Sequence, residues 1–234
     1  MPIIAGIDGC PSGWLCLTKD TSSGVVQARI LADIGELLMF DPLPAVVLID
    51  VPIGMTESGP RSCDLAARAV LKRPRASSVF PAPVRAMLAA ETYLVACAIG
   101  EQADGRKPSK QLWNILPKIR EVDAFLRSLD AHPGWLREVH PEVSFCLWNG
   151  NKAMSHSKKS VAGRAEREAL VVSQYGAAYP LAQSTLPRGK YRNDDLLDAF
   201  AALWSAERVV AGHALTLPGV PPIDSCGLPM EIVA

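Results

Sequence analysis

The feature that most constrains the fold of this chain is an almost unbroken apolar stretch, residues 45–53, that contains a single acid, Asp50. Runs of Val, Ile and Leu as continuous as this are typical of strands buried on both faces of a sheet. An ionised carboxylate in such a strand is costly unless it has a partner. The stretch therefore predicts a central strand, and it makes Asp50 a candidate functional residue.

The other segments predict an α/β protein around that strand. Short apolar runs separated by turn residues predict an antiparallel meander at residues 3–8, 14–19 and 25–31, with further strands at 135–140 and 230–233. Helices are expected at 34–40 and 62–71, and after a loop at 72–83 a further helix extends to about 103. A helix at 112–129 either bends or begins at Pro117, and another is expected at 160–175. The last helix is expected at 193–211, with Asn193 or Asp194 as its cap. This order resembles the ribonuclease-H-like fold, in which three antiparallel strands and then parallel strands form a mixed sheet flanked by helices.

The length of 234 residues fits a single domain, residues 1–234, with a helical insertion at about 72–130. No apolar run approaches the roughly 20 residues of a membrane span, and the N-terminal segment lacks the basic region of a signal peptide. The six cysteines have no Cys-x-x-Cys pair and no regular spacing, which argues against a zinc ribbon and a disulfide framework. We therefore expect a cytoplasmic protein with reduced thiols, and a homodimer is left open.

Charge is balanced overall, with 24 basic and 24 acidic residues, but it is unevenly distributed. Residues 61–85 carry six basic residues against one acid, and residues 151–192 carry eight against two. The neutral total argues against a general polyanion binder. The two basic blocks suit contact with phosphate groups, although solvated loops and helix faces give the same pattern.

Acids on three separate elements form the strongest functional pattern. Asp8 ends the first strand, Asp50 lies in the central strand, and Asp195 and Asp198 share a face of the last helix. Asp194 also shares a face with Asp198, acids in a first turn complement the helix dipole, and an Asp before a turn often caps its own backbone. Carboxylates gathered from separate elements are nevertheless the usual ligands of Mg²⁺ and Mn²⁺, so we expect a metal site here.

Glu142 is a fifth candidate acid, beyond the end of the strand predicted at 135–140. It could take part in catalysis, or it could position Lys158, Lys159 or Arg167. The nearby His140 could orient a carboxylate, bind a metal or fill a polar pocket.

The candidates for substrate binding are basic and hydroxyl side chains, whose donors suit phosphate oxygens. They are Arg75, Ser77, Ser78, Lys158, Lys159 and Arg167. The two serines equally fit a plain surface loop. Cys10 lies two residues after Asp8, but no histidine is locally associated with it, so a thiol nucleophile is not favoured.

Five motifs in order give the chain a family resemblance over nearly its whole length. They are Gly6-Ile7-Asp8-Gly9-Cys10 with Gly13-Trp14, Ile49-Asp50-Val51-Pro52-Ile53-Gly54, Ser77-Ser78-Val79-Phe80, Glu138-Val139-His140-Pro141-Glu142-Val143-Ser144-Phe145, and Asp194-Asp195-Leu196-Leu197-Asp198-Ala199. Together they resemble the family called domain of unknown function 429, which is described as predicted ribonuclease-H-like nucleases. The resemblance implies a nuclease with nucleic acid as its substrate.

Within the wider fold, the chain is similar to the Holliday-junction resolvases, which have acids on the first strand, at the end of the fourth and on the last helix. Carried over, this similarity implies that Asp8, Asp50, Asp195 and Asp198 hold two Mg²⁺ or Mn²⁺ ions in a phosphodiester hydrolase. The resolvases usually have Glu where this chain has Asp50. The shorter side chain would bring a metal closer to the strand and leaves the metal preference open.

Two other classes of function remain open. Proteins of the sugar-kinase and actin-like superfamily share this strand order, but they need two such domains around a nucleotide, and 234 residues are too few. The other alternative is a binding module without activity, in which the acids are structural and the basic blocks bind nucleic acid or protein. Stabilisation by Mg²⁺ or Mn²⁺ would distinguish the hydrolase from that module.

Overall fold

A computed structural model describes residues 2–129 and 134–234. At its centre is a five-stranded mixed sheet with the order β3-β2-β1-β4-β5. The strands are β1 (Ile3–Cys10), β2 (Gly13–Asp20), β3 (Val26–Leu31), β4 (Val46–Ile49) and β5 (Leu136–Glu138). The first three form an antiparallel meander, whereas β1, β4 and β5 run parallel. The ribonuclease-H-like fold expected from the sequence is confirmed.

Helices flank this sheet. They are a 3₁₀ helix (Ile34–Met39), α1 (Ser62–Arg75), two 3₁₀ helices (Ala76–Ser78 and Arg85–Ala89), α2 (Tyr93–Asp104), α3 (Lys110–Ser128), α4 (Pro141–Trp148), α5 (Val161–Tyr175), α6 (Ala178–Thr185) and α7 (Asn193–Val210). Two short strands, β6 (Thr216–Leu217) and β7 (Ile232–Val233), pair separately. No helix within the described ranges is long and apolar enough to cross a membrane.

The central strand is buried on both faces, as its sequence predicts. Leu48 packs in a core on one side of the sheet with residues of α5, α6 and α7. Val47 and Ile49 pack on the other side with residues of α3. All three side chains are inaccessible to solvent. The predicted insertion, at about 72–130, thus contributes α3 to one face of the sheet, and residue 130 lies outside the described residues.

The central strand is shorter than predicted, and the difference matters for Asp50. β4 ends at Ile49 rather than at residue 53. Beyond it the chain turns, since the Val51 N–H donates to the Ile49 carbonyl at 3.0 Å and the Ile53 N–H donates to a Glu138 carboxylate oxygen at 2.7 Å. Asp50 therefore lies at the carboxyl end of the strand and not within it.

Several helix predictions also needed correction. The segment from residue 83 to 103 is a 3₁₀ helix followed by α2, because the Thr92 side chain caps α2. By contrast, the helix predicted at 62–71 is confirmed, because α1 begins at Ser62 and its regular part ends at Leu71, before Lys72 with a φ of 54°. α3 begins well before Pro117 and continues through it. α4 and α6 were not predicted; Pro141 was interpreted as a strand end, but it is the first residue of α4.

The predicted cap of α7 was wrong as well. Neither Asn193 nor Asp194 caps this helix, whose N-cap residue is Arg192. The Asp195 side chain instead reaches back and accepts the Arg192 backbone N–H at 2.8 Å.

Candidate functional site

The backbone of α7 lies directly against β1 because Gly6 has no side chain. A Cβ atom at Gly6 would lie 2.1 Å from the Leu203 nitrogen and 2.5 Å from the Ala199 carbonyl oxygen. Only glycine permits so close an approach of two backbones. Asp8 is two residues further along β1, and Asp198 immediately precedes Ala199. The contact at Gly6 therefore brings acids from a strand and a helix to the same place.

The predicted acids line one cavity of about 400 Å³ at the carboxyl ends of β1, β4 and β5. They are Asp8, Asp50, Glu142, Asp195 and Asp198. All are buried except Asp50, which is half-buried. Asp194, the alternative partner of Asp198, does not line the cavity. Of the two pairs that the sequence left open, the structure favours Asp195 with Asp198.

Burial and mutual repulsion disfavour negative charge in this cluster. The pKa of Asp8 lies well above its usual value, first because the carboxyl is buried and then because Asp50 and Asp198 are close. Burial and the charge of Asp198 raise the pKa of Asp50 to about 8. Burial also raises the pKa of Asp195 to about 6. A cation in the cavity would favour the ionised forms of all these carboxyls.

Lys158 is a cation that already contacts the cluster. Its Nζ donates to Asp198 Oδ2 at 2.5 Å, and the surrounding carboxylates, Asp198 first, raise the pKa of Lys158. Asp198 is only 2% exposed, and its other oxygen, Oδ1, is buried without a hydrogen-bond partner among the described residues. An unpartnered buried acceptor is costly, so Asp198 has one oxygen left for a ligand.

The chemistry of these side chains fits a hard divalent cation. Their carboxylate oxygens are the ligands that Mg²⁺ and Mn²⁺ prefer, and the unpartnered Asp198 Oδ1 is a free donor. As they stand, however, no three Asp, Glu, His or Cys side chains in residues 2–129 and 134–234 are grouped closely enough to hold a metal ion. In this arrangement Lys158 supplies the positive charge.

Two of the acids also have the structural roles that were left open from the sequence. Asp8 Oδ1 accepts the Gly9 N–H at 2.8 Å, but β1 continues to Cys10, so Asp8 lies within the strand and not before a turn as predicted. Asp195 Oδ2 completes the first turn of α7 through Arg192. Each of these contacts occupies one carboxylate oxygen, so a structural role and a ligand role are compatible.

Glu142 is held from behind by Arg167. Arg167 donates to Glu142 Oε1 through Nη2 at 2.5 Å and through Nε at 3.1 Å, and its Nη1 donates to the Gly163 carbonyl at 2.6 Å. Glu142 Oε2 is buried and has no partner in the described chain. Arg167 is 1% exposed and does not line the cavity. The structure therefore favours Arg167 as a positioning residue rather than as a contact to substrate.

Sequence reasoning missed a buried ionic network beside Asp50. Arg61 donates to the two Glu138 oxygens at 2.7 and 2.8 Å and to Asp64 Oδ1 at 2.6 Å. All three residues are buried and line the cavity. One signal was present: Glu138 is an acid within the strand predicted at 135–140, as Asp50 is within the predicted central strand. Arg61 gave no such signal, because it was counted with the basic block at 61–85.

Five of the six predicted phosphate contacts line the same cavity as the acids, with one addition. Those that line the cavity are Arg75, Ser77, Ser78, Lys158 and Lys159. Lys118 of α3 also lines it and was not predicted. Its Nζ donates to the Gly13 carbonyl at 2.5 Å and lies 4.2 Å from the centre of the Trp14 ring.

His140 lines the same cavity as the carboxylates and the two serines. Burial, followed by the charge of Lys158, lowers the pKa of His140 to about 4. The imidazole is therefore neutral at physiological pH. Its Nδ1 is buried with no hydrogen-bond partner in the described ranges. Because the ring is uncharged, His140 does not neutralise the acids.

The fold and the site define a ribonuclease-H-like α/β protein whose cavity gathers acids from the ends of its parallel strands and from its last helix. The sequence matches the family described as "Protein of unknown function (DUF429)" over residues 6–223. The chain belongs to that family, as its motifs predict. No curated protein and no solved structure matches the sequence.

Proposed function

We propose that this protein is a metal-dependent phosphodiester hydrolase, specifically a nuclease. The observation that carries the proposal is the convergence of acids from β1, the end of β4 and α7 on one cavity that also holds lysine, arginine and serine side chains. Carboxylates suit divalent cations, and the basic and hydroxyl groups suit phosphate oxygens. Hydrolysis of a phosphodiester by two metal ions uses both kinds of group.

In this proposal Asp8, Asp50, Asp195 and Asp198 would hold Mg²⁺ or Mn²⁺. When bound, such ions supply Lewis acidity toward the phosphate and activate water. Asp8 would belong to the same site as Asp50 and Asp198, because after burial the charges of these two acids raise its pKa. Glu142 Oε2, which is unpartnered while Arg167 holds Oε1, would orient the attacking water or accept its proton.

The basic side chains would hold the backbone of a nucleic acid. Arg75, Ser77, Ser78 and Lys159 would donate to phosphate oxygens. Lys158 would turn from Asp198 to the substrate phosphate once a divalent cation compensates that carboxylate. We also propose a cytoplasmic location, which the six free thiols support, and a homodimer stays a prediction.

The test is cleavage of labelled single-stranded, duplex and branched DNA and RNA in the presence of Mn²⁺. We expect Asp8→Asn to reduce the rate by about a thousandfold or more, because Asn keeps the shape of Asp and removes the anion that holds the metals, and each 1.36 kcal/mol of lost transition-state stabilisation costs tenfold. Cys10→Ser is the matched control. Cys10 is buried two residues away, and a water-attack mechanism gives its thiol no role.

Equal activity of wild type and Asp8→Asn would overturn the proposal, as would loss in Cys10→Ser alone. The second candidate function, a binding module without activity, is favoured by the Lys158–Asp198 pair, which neutralises a buried acid without any metal. Nucleic-acid binding that is unaffected by EDTA, with no cleavage at millimolar Mn²⁺, would select this alternative.

A further inference from the structure

One face of α3 forms a wall of the cavity. Gln111, Asn114, Ile115 and Lys118 all line it, and their spacing of three, four and seven places them on one side of the helix. Gln111 and Asn114 are exposed, and within the described chain their side-chain amides have no hydrogen-bond partner. The wall thus presents free donors and acceptors to whatever occupies the cavity.

The two ends of this wall lie at different distances from the carboxylates. At one end, Lys118 lies beside the carboxylates, since a Cβ atom on Gly9, the residue after Asp8, would be 2.7 Å from Lys118 Cδ. At the other end, Gln111 is two helical turns away, about 10 Å along the axis. A ligand with its phosphate at the carboxylates and Lys118 would therefore extend past Asn114 toward Gln111.

The cavity also has an apolar surface beside this wall. Phe80 lines the cavity, and both Phe80 and Ile115 are half-buried and pack on the core beneath the sheet. A ring supported from behind is a platform on which a planar group can stack. In proteins that bind single-stranded nucleic acid, stacking of bases on aromatic rings contributes to the affinity.

We infer that this wall is a nucleobase subsite and that the substrate is an unpaired nucleotide of a strand. The inference rests on the proposed function, because the phosphate end of the ligand is assigned to the carboxylate cluster. A side-chain carboxamide offers an adjacent donor and acceptor that complement the edge of a base. The cavity, about 400 Å³, has the size of a site for one small ligand. A base enters such a site only when it is unstacked or flipped out of a duplex.

Calorimetric titration of the full chain tests the subsite directly. The probes are the four 5′-nucleoside monophosphates and ribose 5-phosphate, which has the same sugar and phosphate but no base, all in Mg²⁺ buffer. We expect at least one nucleotide to bind tenfold or more tightly than ribose 5-phosphate. The double variant Gln111→Met/Asn114→Leu should reduce that difference to what stacking on Phe80 provides, and it should leave the affinity for ribose 5-phosphate unchanged. Lys118→Met should lower the affinity for the nucleotides and for ribose 5-phosphate by the same factor.

Gln174→Met is the matched control, because Gln174 is an exposed residue of α5 outside the cavity, and it should bind all the probes as wild type does. Equal affinity of wild type for ribose 5-phosphate and every nucleotide would overturn the subsite, as would a double variant that keeps the difference. Cleavage of an abasic phosphodiester oligomer with Mn²⁺ separates the two proposals. If wild type cleaves this oligomer and Asp8→Asn does not, the hydrolase stands even when the subsite fails.

Discussion

At the scale of single residues, the charge balance of the cavity depends on the contact between Lys158 and Asp198. Asp198 is buried by its place on α7, whereas the Lys158 side chain is 37% exposed. The carboxylate therefore cannot turn to water, but the ammonium can. This asymmetry suits a lysine that leaves its partner when another cation or a phosphate arrives.

We predict that Lys158→Met destabilises the protein by about 1–3 kcal/mol, because a buried carboxylate loses its partner. Mg²⁺ should restore more of the free energy of unfolding in this variant than in wild type, since the metal then provides the missing positive charge. Urea denaturation with and without Mg²⁺ measures both effects. Lys159→Met is the matched control, because Lys159 is an exposed neighbour with no ion pair in the described chain. Equal stability of the two variants in EDTA would contradict the prediction.

At the scale of single residues, the sequence reveals those site residues whose burial is evident from their neighbours in the chain. Asp50 and Asp198 were recognised because apolar residues surround them in the sequence, so their burial could be read locally. Arg61 and Lys118 could not be found in this way. Arg61 is buried by the return of the chain between β4 and α1 onto Glu138, which is 77 residues away, and Lys118 reaches Gly13 across 105 residues. Contacts this distant in sequence leave no periodic pattern.

At the scale of elements, the site depends on how α7 lies on β1. The backbones of α7 and β1 touch at Gly6. This backbone contact fixes the position of the acids on α7 relative to Asp8. The sequence predicted both elements and the acids on them, but it did not show that Gly6 is where they meet. It also missed α4, which carries Glu142, because Pro141 ends a strand and starts a helix equally well.

Gly6→Ala should therefore damage both stability and activity. A methyl group here meets backbone atoms, which cannot rotate away, so α7 has to shift and we expect a loss of about 1–3 kcal/mol or more. Gly219→Ala serves as the control, since a Cβ atom at Gly219 has nothing within 4 Å. Thermal denaturation and the Mn²⁺-dependent cleavage assay give the two readouts. A Gly6→Ala protein as stable and as active as Gly219→Ala would show that the close contact is unimportant.

At the scale of the whole molecule, the carboxyls of the cavity link stability to pH, and the proposed metal site would link it to divalent cations. The pKa of Asp50 is raised from 3.8 to about 8 in the folded protein, so between these values the folded state binds more protons than the unfolded state. The free energy of unfolding therefore falls as the pH rises through this range. The pKa of His140 is lowered from 6.5 to about 4. His140 therefore makes the free energy of unfolding rise with pH, but only between these two values.

We thus predict that in EDTA the free energy of unfolding decreases from about pH 6.5 to about pH 8. The decrease should be smaller in Asp50→Asn, which has no carboxyl to titrate. Saturating Mg²⁺ should stabilise the wild type by roughly 2.7 kcal/mol at a hundred times Kd, and by more at pH 8 than at pH 6.5, because it binds the ionised carboxylates. Urea titrations at the two pH values measure this. A rise of stability with pH in EDTA, or no effect of millimolar Mg²⁺ at pH 8, would contradict the metal site.

The origin of the two sides of the cavity has a consequence for how such a protein can change. The acids come from the sheet and from the two helices α4 and α7, whereas the amide-bearing wall comes from α3, which lies in the segment predicted as an insertion. Exchange of Gln111 and Asn114 would leave β1, β4 and α7 untouched. Under the proposed function, relatives with the same sheet could therefore change the ligand that they bind while they keep the same carboxylates.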